Sequence, residues 1–200
     1  MLSGLVAAPA PQSMAAEHQI TDGTVTWGIK ASWRNYIGST GTLLDGGVTR
    51  NSDGTFDWPV ASGSFDDISN SLRIDLAGSV HFRSHQAPDG SYILDSLFKD
   101  LYLTISPTEQ TIRGTYSGNP REGGDRVETE DAVLATIDIT SADFDVSGGA
   151  TTWGSARTFG GPDNGLYKEG TPFDPVSIDY TGPGGIPELG DKFEDQGAPS

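Results

Sequence analysis

The sequence contains no cysteine among its 200 residues. Disulfide bonds, thiolate catalysis and cysteine-ligated metal sites are therefore excluded, and stability has to come from the packed core alone. Basic residues are also scarce, because 12 Lys and Arg stand against 28 Asp and Glu, which gives a net charge of −16. Such a surplus of negative charge repels phosphate groups, so we expect neither nucleic acid nor an anionic membrane surface as a partner.

Long hydrophobic runs and common catalytic motifs are missing as well. No run approaches the ~18 consecutive apolar residues that a transmembrane helix needs, so we expect no membrane insertion of this chain. The sequence has no Gly-x-Ser-x-Gly, no Gly-x-Gly-x-x-Gly and no P-loop, and no His-x-x-x-His falls on a credible helix. We therefore expect a protein that is not an enzyme. Scattered Asp and Glu leave a glycosidase pair as a remote alternative.

Short strands dominate the hydrophobic pattern. Apolar and polar residues alternate over residues 72–76, 101–105 and 133–140, which is typical of half-buried β-strands. Residues 119–131 carry many charges and glycines and predict an exposed loop. About ten strands with turn residues between them predict an all-β fold, either a mostly antiparallel β-sandwich or a barrel-like domain.

The chain ends differ in composition from the middle. Residues 1–20 begin with a stretch rich in alanine and proline, and we interpret them as a disordered leader or the remnant of a secretion signal. Residues 182–200 contain Pro, Gly and charged residues with little apolar content, which predicts a flexible tail. A single domain is expected over residues 21–181.

The most informative stretch is residues 27–37, which contains two tryptophans and a tyrosine. Its first residues complete a strand, and a helical spacing then follows at Lys30, Trp33, Arg34 and Ile37. This spacing predicts one short helix near residues 30–37. Ser32 and Tyr36 are four residues apart, so on a helix they lie one above the other and can present a hydroxyl and a phenol to a pocket.

Three segments resemble a known family. Residues 27–36 fit the pattern Trp-Gly-x-Lys-x-Ser-[aromatic]-Arg-x-Tyr, which resembles the opening motif of HtaA domains, the haem-binding modules of actinobacterial haem uptake. Residues 78–85 resemble that family's Gly-x-Val-x-Phe-x-Gly-His segment, with Ser84 in place of a glycine. Residues 167–176 resemble its Tyr-x-x-Gly-x-x-Leu-Asp-Pro-Val segment, with Phe173 in place of the leucine. The segments occur in the family's order, and the resemblance covers roughly residues 21–180.

The resemblance implies a site for haem b, ferric protoporphyrin IX, with Tyr36 as the ligand of the iron. Tyrosine is one of the protein ligands that haem iron accepts, whereas from the residues alone Tyr36 is more simply a tyrosine at the edge of the core. The resemblance also implies that His85 hydrogen-bonds the phenolate or, alternatively, ligates the iron itself. On one extended strand His81 would lie roughly 13 Å from His85, too far to share an iron. We therefore expect His81 to be a histidine of the sheet surface.

Five further residues are expected to form the haem pocket: Ser32, Trp33, Arg34, Leu166 and Tyr167. Ser32 is a candidate donor to a propionate or a solvent-facing serine, and Arg34 is a candidate propionate partner or a solvated surface arginine. Tyr167 is expected to line the haem face or to hydrogen-bond near it. Leu166 stands where the family often has an aromatic residue.

The resemblance implies a secreted or cell-surface protein that captures haem and passes it on in haem-iron uptake. Its implied partners are haem and either haemoglobin or another haem-carrier protein. The alternative is a β-sandwich adhesin or carbohydrate-binding module in which four tryptophans serve as sugar platforms: Trp27, Trp33, Trp58 and Trp153. The two hypotheses differ in the expected exposure of these tryptophans and in the response to haemin.

Overall fold

Antiparallel β-strands form most of the chain in the computed structural model, which describes residues 17–119 and 125–181. In chain order the strands are β1 (Glu17–Ile20), β2 (Asp22–Trp27), β3 (Thr42–Asp45), β4 (Thr49–Arg50), β5 (Phe56–Asp66), β6 (Ser71–Leu76), β7 (Ser79–Gln86), β8 (Tyr92–Ile105), β9 (Gln110–Gly118), β10 (Val127–Asp138), β11 (Asp143–Ser147), β12 (Ala150–Gly160) and β13 (Pro172–Thr181). The helix α1 (Ala31–Ile37) follows β2, and a 3-10 helix spans Ile139–Ser141. The prediction of an all-β fold with one short helix near residues 30–37 is confirmed.

Eight of the strands close into a barrel. Their order around the barrel is β5, β2, β13, β12, β10, β9, β8 and β6, and the ring closes because β6 pairs with both β8 and β5. The alternation of apolar residues in the sequence was compatible with either a β-sandwich or a β-barrel, and the strand pairing shows that the fold is a barrel. A closed barrel is favoured over an open sheet because each of these eight strands then has a hydrogen-bonding neighbour on both sides.

Large apolar side chains fill the barrel interior. Trp27, Trp58 and Trp153 are each at most 1% exposed. The indole N–H of Trp58 donates to the carbonyl oxygen of Trp27 at 3.2 Å, and that of Trp27 donates to the carbonyl oxygen of Asp174 at 3.1 Å. The interpretation of these three tryptophans as sugar platforms is wrong, since their large apolar rings are used to build the core.

Three of the bulges in the barrel strands contain a residue with a positive φ. Asp100, Asp131 and Ser155 have φ values of 53°, 51° and 53°, and each lies where the register with a neighbouring strand shifts. A bulge adds a residue to one strand and increases its local twist, which helps a sheet to curl. Gly114 on β9 lies against one of them, and a Cβ there would sit 2.9 Å from the carbonyl oxygen of Lys99. Glycine is required at this close approach.

Two segment boundaries differ from the predictions. Residues 17–20, expected to belong to the leader, form β1 and pair with β5, with Ile20 buried in the core. Residues 127–131, expected in an exposed loop, form the exposed start of β10 and pair with β9. The charged side chains on that segment face solvent while its backbone stays in the ladder. Residues 1–16 of the predicted leader and 182–200 of the predicted tail lie outside the described residues.

The strand β7 connects the barrel to the helix. It pairs with β8 on one side and with β3 on the other. Trp33 of α1 packs edge-on against Phe82 of β7, with ring centroids 6.2 Å apart. Helix and strand therefore pack against each other and carry side chains on their outer surfaces. Within the described part of the chain, no helix has the length and apolar character needed to cross a membrane.

Candidate functional site

The helix α1 is held at its start by a residue distant in sequence. Lys30 precedes the helix without a side-chain cap, and the N–H of Ala31 donates instead to the carboxylate of Asp174 at 2.8 Å. A carboxylate that accepts a hydrogen bond from the first turn of a helix satisfies an otherwise unpaired N–H donor, and its negative charge interacts favourably with the positive end of the helix dipole. At the other end the N–H of Gly38 donates to the carbonyl oxygen of Arg34 at 2.8 Å. The helix is thus positioned by β13 as well as by its own sequence.

Arg34 is buried, with 8% of its surface exposed. Its Nη1 donates to the carbonyl oxygen of Gly28 at 2.6 Å and forms an ion pair with Asp174. The interpretation of Arg34 as a solvated surface arginine is therefore wrong. A Cβ on Gly28 would lie 2.2 Å from that guanidinium, so the glycine leaves room for the buried pair. The carboxylate of Asp174 neutralises the charge of Arg34, and the role of Arg34 in this structure is to fix the position of the helix α1.

Tyr36 and His85 lie face to face on the surface. Tyr36 is 62% exposed, and its ring is stacked on that of His85 with centroids 5.7 Å apart and planes 25° from parallel. The tyrosine comes from α1 and the histidine from the end of β7. The structure therefore brings together the two residues that the motifs singled out separately.

The backbone of β7 turns at His85 itself. His85 has a φ of 59°, in the left-handed region that histidine enters more readily than most residues. Ser84, which stands where the family has glycine, pairs with Leu94 in the regular ladder and has no positive φ. The serine is thus accommodated without backbone strain, and the turn occurs one residue later.

His81 is separate from this pair. Its Nε2 lies 2.6 Å from a carboxylate oxygen of Asp95, whose other close partner is Arg126 at 2.8 Å. Burial pushes the pKa of Asp95 upward, but the hydrogen bonds from His81 and Arg126 outweigh it and the pKa lies below its usual value. His81 is therefore part of a charged network on the sheet surface, as expected.

Two hydroxyl groups meet one helical turn before Tyr36. The Oγ of Ser32 lies 3.1 Å from the phenolic oxygen of Tyr167. The ring of Tyr167 packs edge-on against Phe173, with centroids 6.0 Å apart, and the ammonium of Lys30 lies 5.2 Å from the ring centroid. This cluster is partly open to solvent and offers hydroxyl donors beside an aromatic surface.

Asn164 organises the segment that carries Tyr167, and sequence reasoning missed it. Its side-chain oxygen accepts from the N–H groups of Leu166 at 2.9 Å and Tyr167 at 2.7 Å, and its amide donates to the carbonyl oxygen of Tyr167 at 2.9 Å. The side chain is almost fully buried. The only signal was the Pro-Asp-Asn-Gly run at residues 162–165, which is typical of a turn.

The last two predicted pocket residues differ in placement. Trp33 is half-buried, lies 6.5 Å from the ring of Tyr36 between centroids, and has a buried indole N–H without a partner among the described residues. Leu166 is 6% exposed and belongs to the hydrophobic core. Trp33 thus borders the exposed pair, whereas Leu166 lies in the core behind the surface.

Fold and site together define an antiparallel β-barrel domain that presents a tyrosine and a histidine from a short helix and the end of a strand. The family model of HtaA, described as Htaa, matches residues 22–179. Because this match covers most of the chain, the chain belongs to the HtaA family. The resemblance inferred from the three motifs is confirmed.

Solved structures show the same fold. The C-terminal domain of HtaA from Corynebacterium glutamicum is 23% identical, covers 83% of this chain and 99% of that domain, and has a TM-score of 0.67. The N-terminal domain of HtaA from the same organism is 24% identical over 81% of this chain and 97% of that domain, with a TM-score of 0.68. The heme-binding protein HtaB from Corynebacterium glutamicum is 22% identical over 85% of this chain and 98% of that protein's chain, with a TM-score of 0.60. A search of curated proteins found no significant match.

Proposed function

We propose that this chain binds haem b through Tyr36. The observation that carries the proposal is the exposed phenol of Tyr36 stacked on the imidazole of His85. Haem iron accepts a tyrosine ligand, and ferric iron favours the phenolate over the phenol because it is a strong Lewis acid. A half-buried aromatic beside the ligand, Trp33, supplies apolar surface for the porphyrin. Membership of the HtaA family and the likeness to the heme-binding protein HtaB support the same assignment.

In this proposal His85 adjusts the strength of Tyr36 as an iron ligand. The two rings are stacked with centroids 5.7 Å apart. We propose that the imidazole rotates towards the phenolate when iron is bound, donates a hydrogen bond to it and so adjusts how strongly the oxygen donates to iron. Both side chains would approach the iron from the same side, so we assign His85 to the phenolate and not to a second axial bond.

The hydroxyl pair supplies the polar end of the site. The hydroxyl oxygens of Ser32 and Tyr167 lie within hydrogen-bond distance, 3.1 Å apart. Either hydroxyl can instead donate its proton to a propionate oxygen without leaving an unpaired buried group. Arg34 is left out of this role because Asp174 already neutralises it. The propionates are therefore bound by hydroxyl donors on α1 and on the segment before β13.

A single tyrosine ligand at an exposed position suits capture and release of haem. Protonation of the phenolate weakens the iron bond, and an exposed site lets the next carrier reach the porphyrin. We propose on this basis that the protein is secreted or displayed at the cell surface, receives haem from haemoglobin or another haem carrier, and passes it on without catalysing a reaction.

A haemin titration followed by its ultraviolet–visible spectrum tests the ligand. Wild type should show a saturable one-to-one shift of the Soret band with bands of a high-spin tyrosinate. Tyr36→Phe keeps the ring and removes the ligating oxygen, and should abolish both features. His85→Ala should keep binding but shift the spectrum and weaken affinity by about 10- to 100-fold. Tyr102→Phe, on the barrel exterior beside Arg73, is the matched control and should behave as wild type. Equal affinity in wild type and Tyr36→Phe would refute the proposal.

A further inference from the structure

The side chain of Lys30 lies at the hydroxyl end of the site and makes one hydrogen bond. Its Nζ donates to the carbonyl oxygen of Pro172 at 2.7 Å and lies 5.2 Å from the ring centroid of Tyr167. The hydroxyl of that tyrosine is 3.1 Å from Ser32. The carbonyl and the ring face therefore hold the ammonium at the same edge as the two hydroxyls.

The charge of Lys30 is unmatched within residues 17–119 and 125–181, where no carboxylate comes within 4.0 Å of it. The arginine nearest in sequence, Arg34, is paired with Asp174, and the exposed arginines Arg73 and Arg157 have carboxylate partners of their own. A lysine ammonium has three N–H donors, and Pro172 uses one. Two donors and a full positive charge thus remain for a ligand.

We propose that Lys30 selects ligands with free carboxylates, so that the site takes a tetrapyrrole with two ionised propionates in preference to its diester. This inference rests on the proposed haem site and adds the chemistry by which its polar edge is recognised. With a net charge of −16, the chain as a whole repels the negatively charged propionates. A local ammonium beside two hydroxyls offsets that repulsion and forms charge-assisted hydrogen bonds, which are stronger than neutral ones.

Two ligands separate recognition of charge from a general effect on the site. Haemin carries two propionates, whereas haemin dimethyl ester has the same iron and porphyrin without the negative charges. Lys30→Met keeps most of the aliphatic stem and removes the ammonium. It should weaken haemin binding by about 10- to 100-fold, which corresponds to one lost hydrogen bond to a charged group, and should leave binding of the ester within about twofold. Lys30→Arg should restore most of the haemin affinity.

Lys168→Met is the matched control, because this exposed lysine lies in the same segment as Tyr167. It should bind both ligands as wild type does. Loss of affinity for both ligands in Lys30→Met would show a merely structural role and overturn the proposal, and so would unchanged haemin affinity. If wild type binds neither ligand, the proposed haem site fails and this inference fails with it. If wild type binds haemin and Lys30→Met makes no difference, the haem site stands and only the role of Lys30 is refuted.

Discussion

The ion pair between Arg34 and Asp174 joins the first and the last of the three motif segments, and Arg34→Met tests how far the fold depends on it. Both side chains are largely buried, at 8% and 14% exposure. Arg34→Met removes the guanidinium and leaves the carboxylate of Asp174 without its charge partner. Breaking one side of a buried pair costs about 3–5 kcal/mol, because the remaining charge stays desolvated. We expect a loss of this size in the free energy of unfolding.

A double-mutant cycle isolates the pair from other effects. Asp174→Asn keeps an oxygen that can accept from Ala31 but leaves Arg34 unpaired, so it should also destabilise strongly. The double variant should cost about 1–3 kcal/mol less than the sum of the two single variants, since each single change already removes the interaction. Arg157→Met is the control, because the ion pair of Arg157 with Asp138 is on the surface and such pairs contribute about 0–1 kcal/mol.

Urea unfolding followed by tryptophan fluorescence measures these differences, since three of the four tryptophans report on the core. A typical domain has about 5–15 kcal/mol of stability, so the variants should still fold. The midpoint should shift while the slope with urea stays constant. A loss under about 1 kcal/mol for Arg34→Met, or a double variant equal to the sum of the singles, would refute the reasoning.

Three further variants test the packing. The hydroxyl of Tyr180 is buried without a hydrogen-bond partner in the described chain, and burial raises its pKa to about 12. The folded state therefore disfavours ionisation of this phenol, so this group's contribution to the free energy of unfolding is fully present below about pH 10 and is lost as the pH rises towards 12. Tyr180→Phe should be as stable as wild type or more stable at pH 7 and should remove part of the loss seen when unfolding is measured from pH 9 to 12; a less stable Tyr180→Phe would contradict this. Gly114→Ala should destabilise by about 1–3 kcal/mol in urea because its Cβ meets backbone at 2.9 Å, whereas Gly154→Ala, with its nearest neighbour at 3.4 Å, should cost little; equal costs would disprove the argument. Asn164→Ala should lower the thermal midpoint by several degrees, because it leaves buried backbone groups unpaired, and an unchanged midpoint would show that the turn forms without it.

Much of the fold could be predicted from local patterns. The short helix was predicted from the spacing of residues 30–37, and it runs from Ala31 to Ile37. Alternation predicted the all-β class, but not whether the strands close into a ring, because closure depends on β6 pairing with both β5 and β8. Strand β10 was missed at its start because its exposed charges resemble those of a loop, while its backbone hydrogen bonds are invisible in the sequence.

The candidate site divides in the same way. The motifs singled out Tyr36 and His85, and the sequence spacing of Ser32 and Tyr36 on one helix face was enough to predict their alignment. The environment of Arg34 could not be read in this manner, since an arginine on an amphipathic helix is usually solvated and its partner lies 140 residues away. Asn164 was missed for a related reason, because a turn residue shows its hydrogen bonds only when the turn is folded.

By itself, the sequence determined the β class, the position of the helix α1, the absence of disulfides and the family of the chain. These properties depend on composition, periodicity and short motifs, all of which are local. The tertiary structure decided which face of α1 is buried and that Asp174 both pairs with Arg34 and caps the helix. It also placed Lys30 beside Tyr167 and Ser32, with no carboxylate partner among residues 17–119 and 125–181. Those facts depend on contacts between distant segments, which form only when the barrel closes and brings β13 against β2.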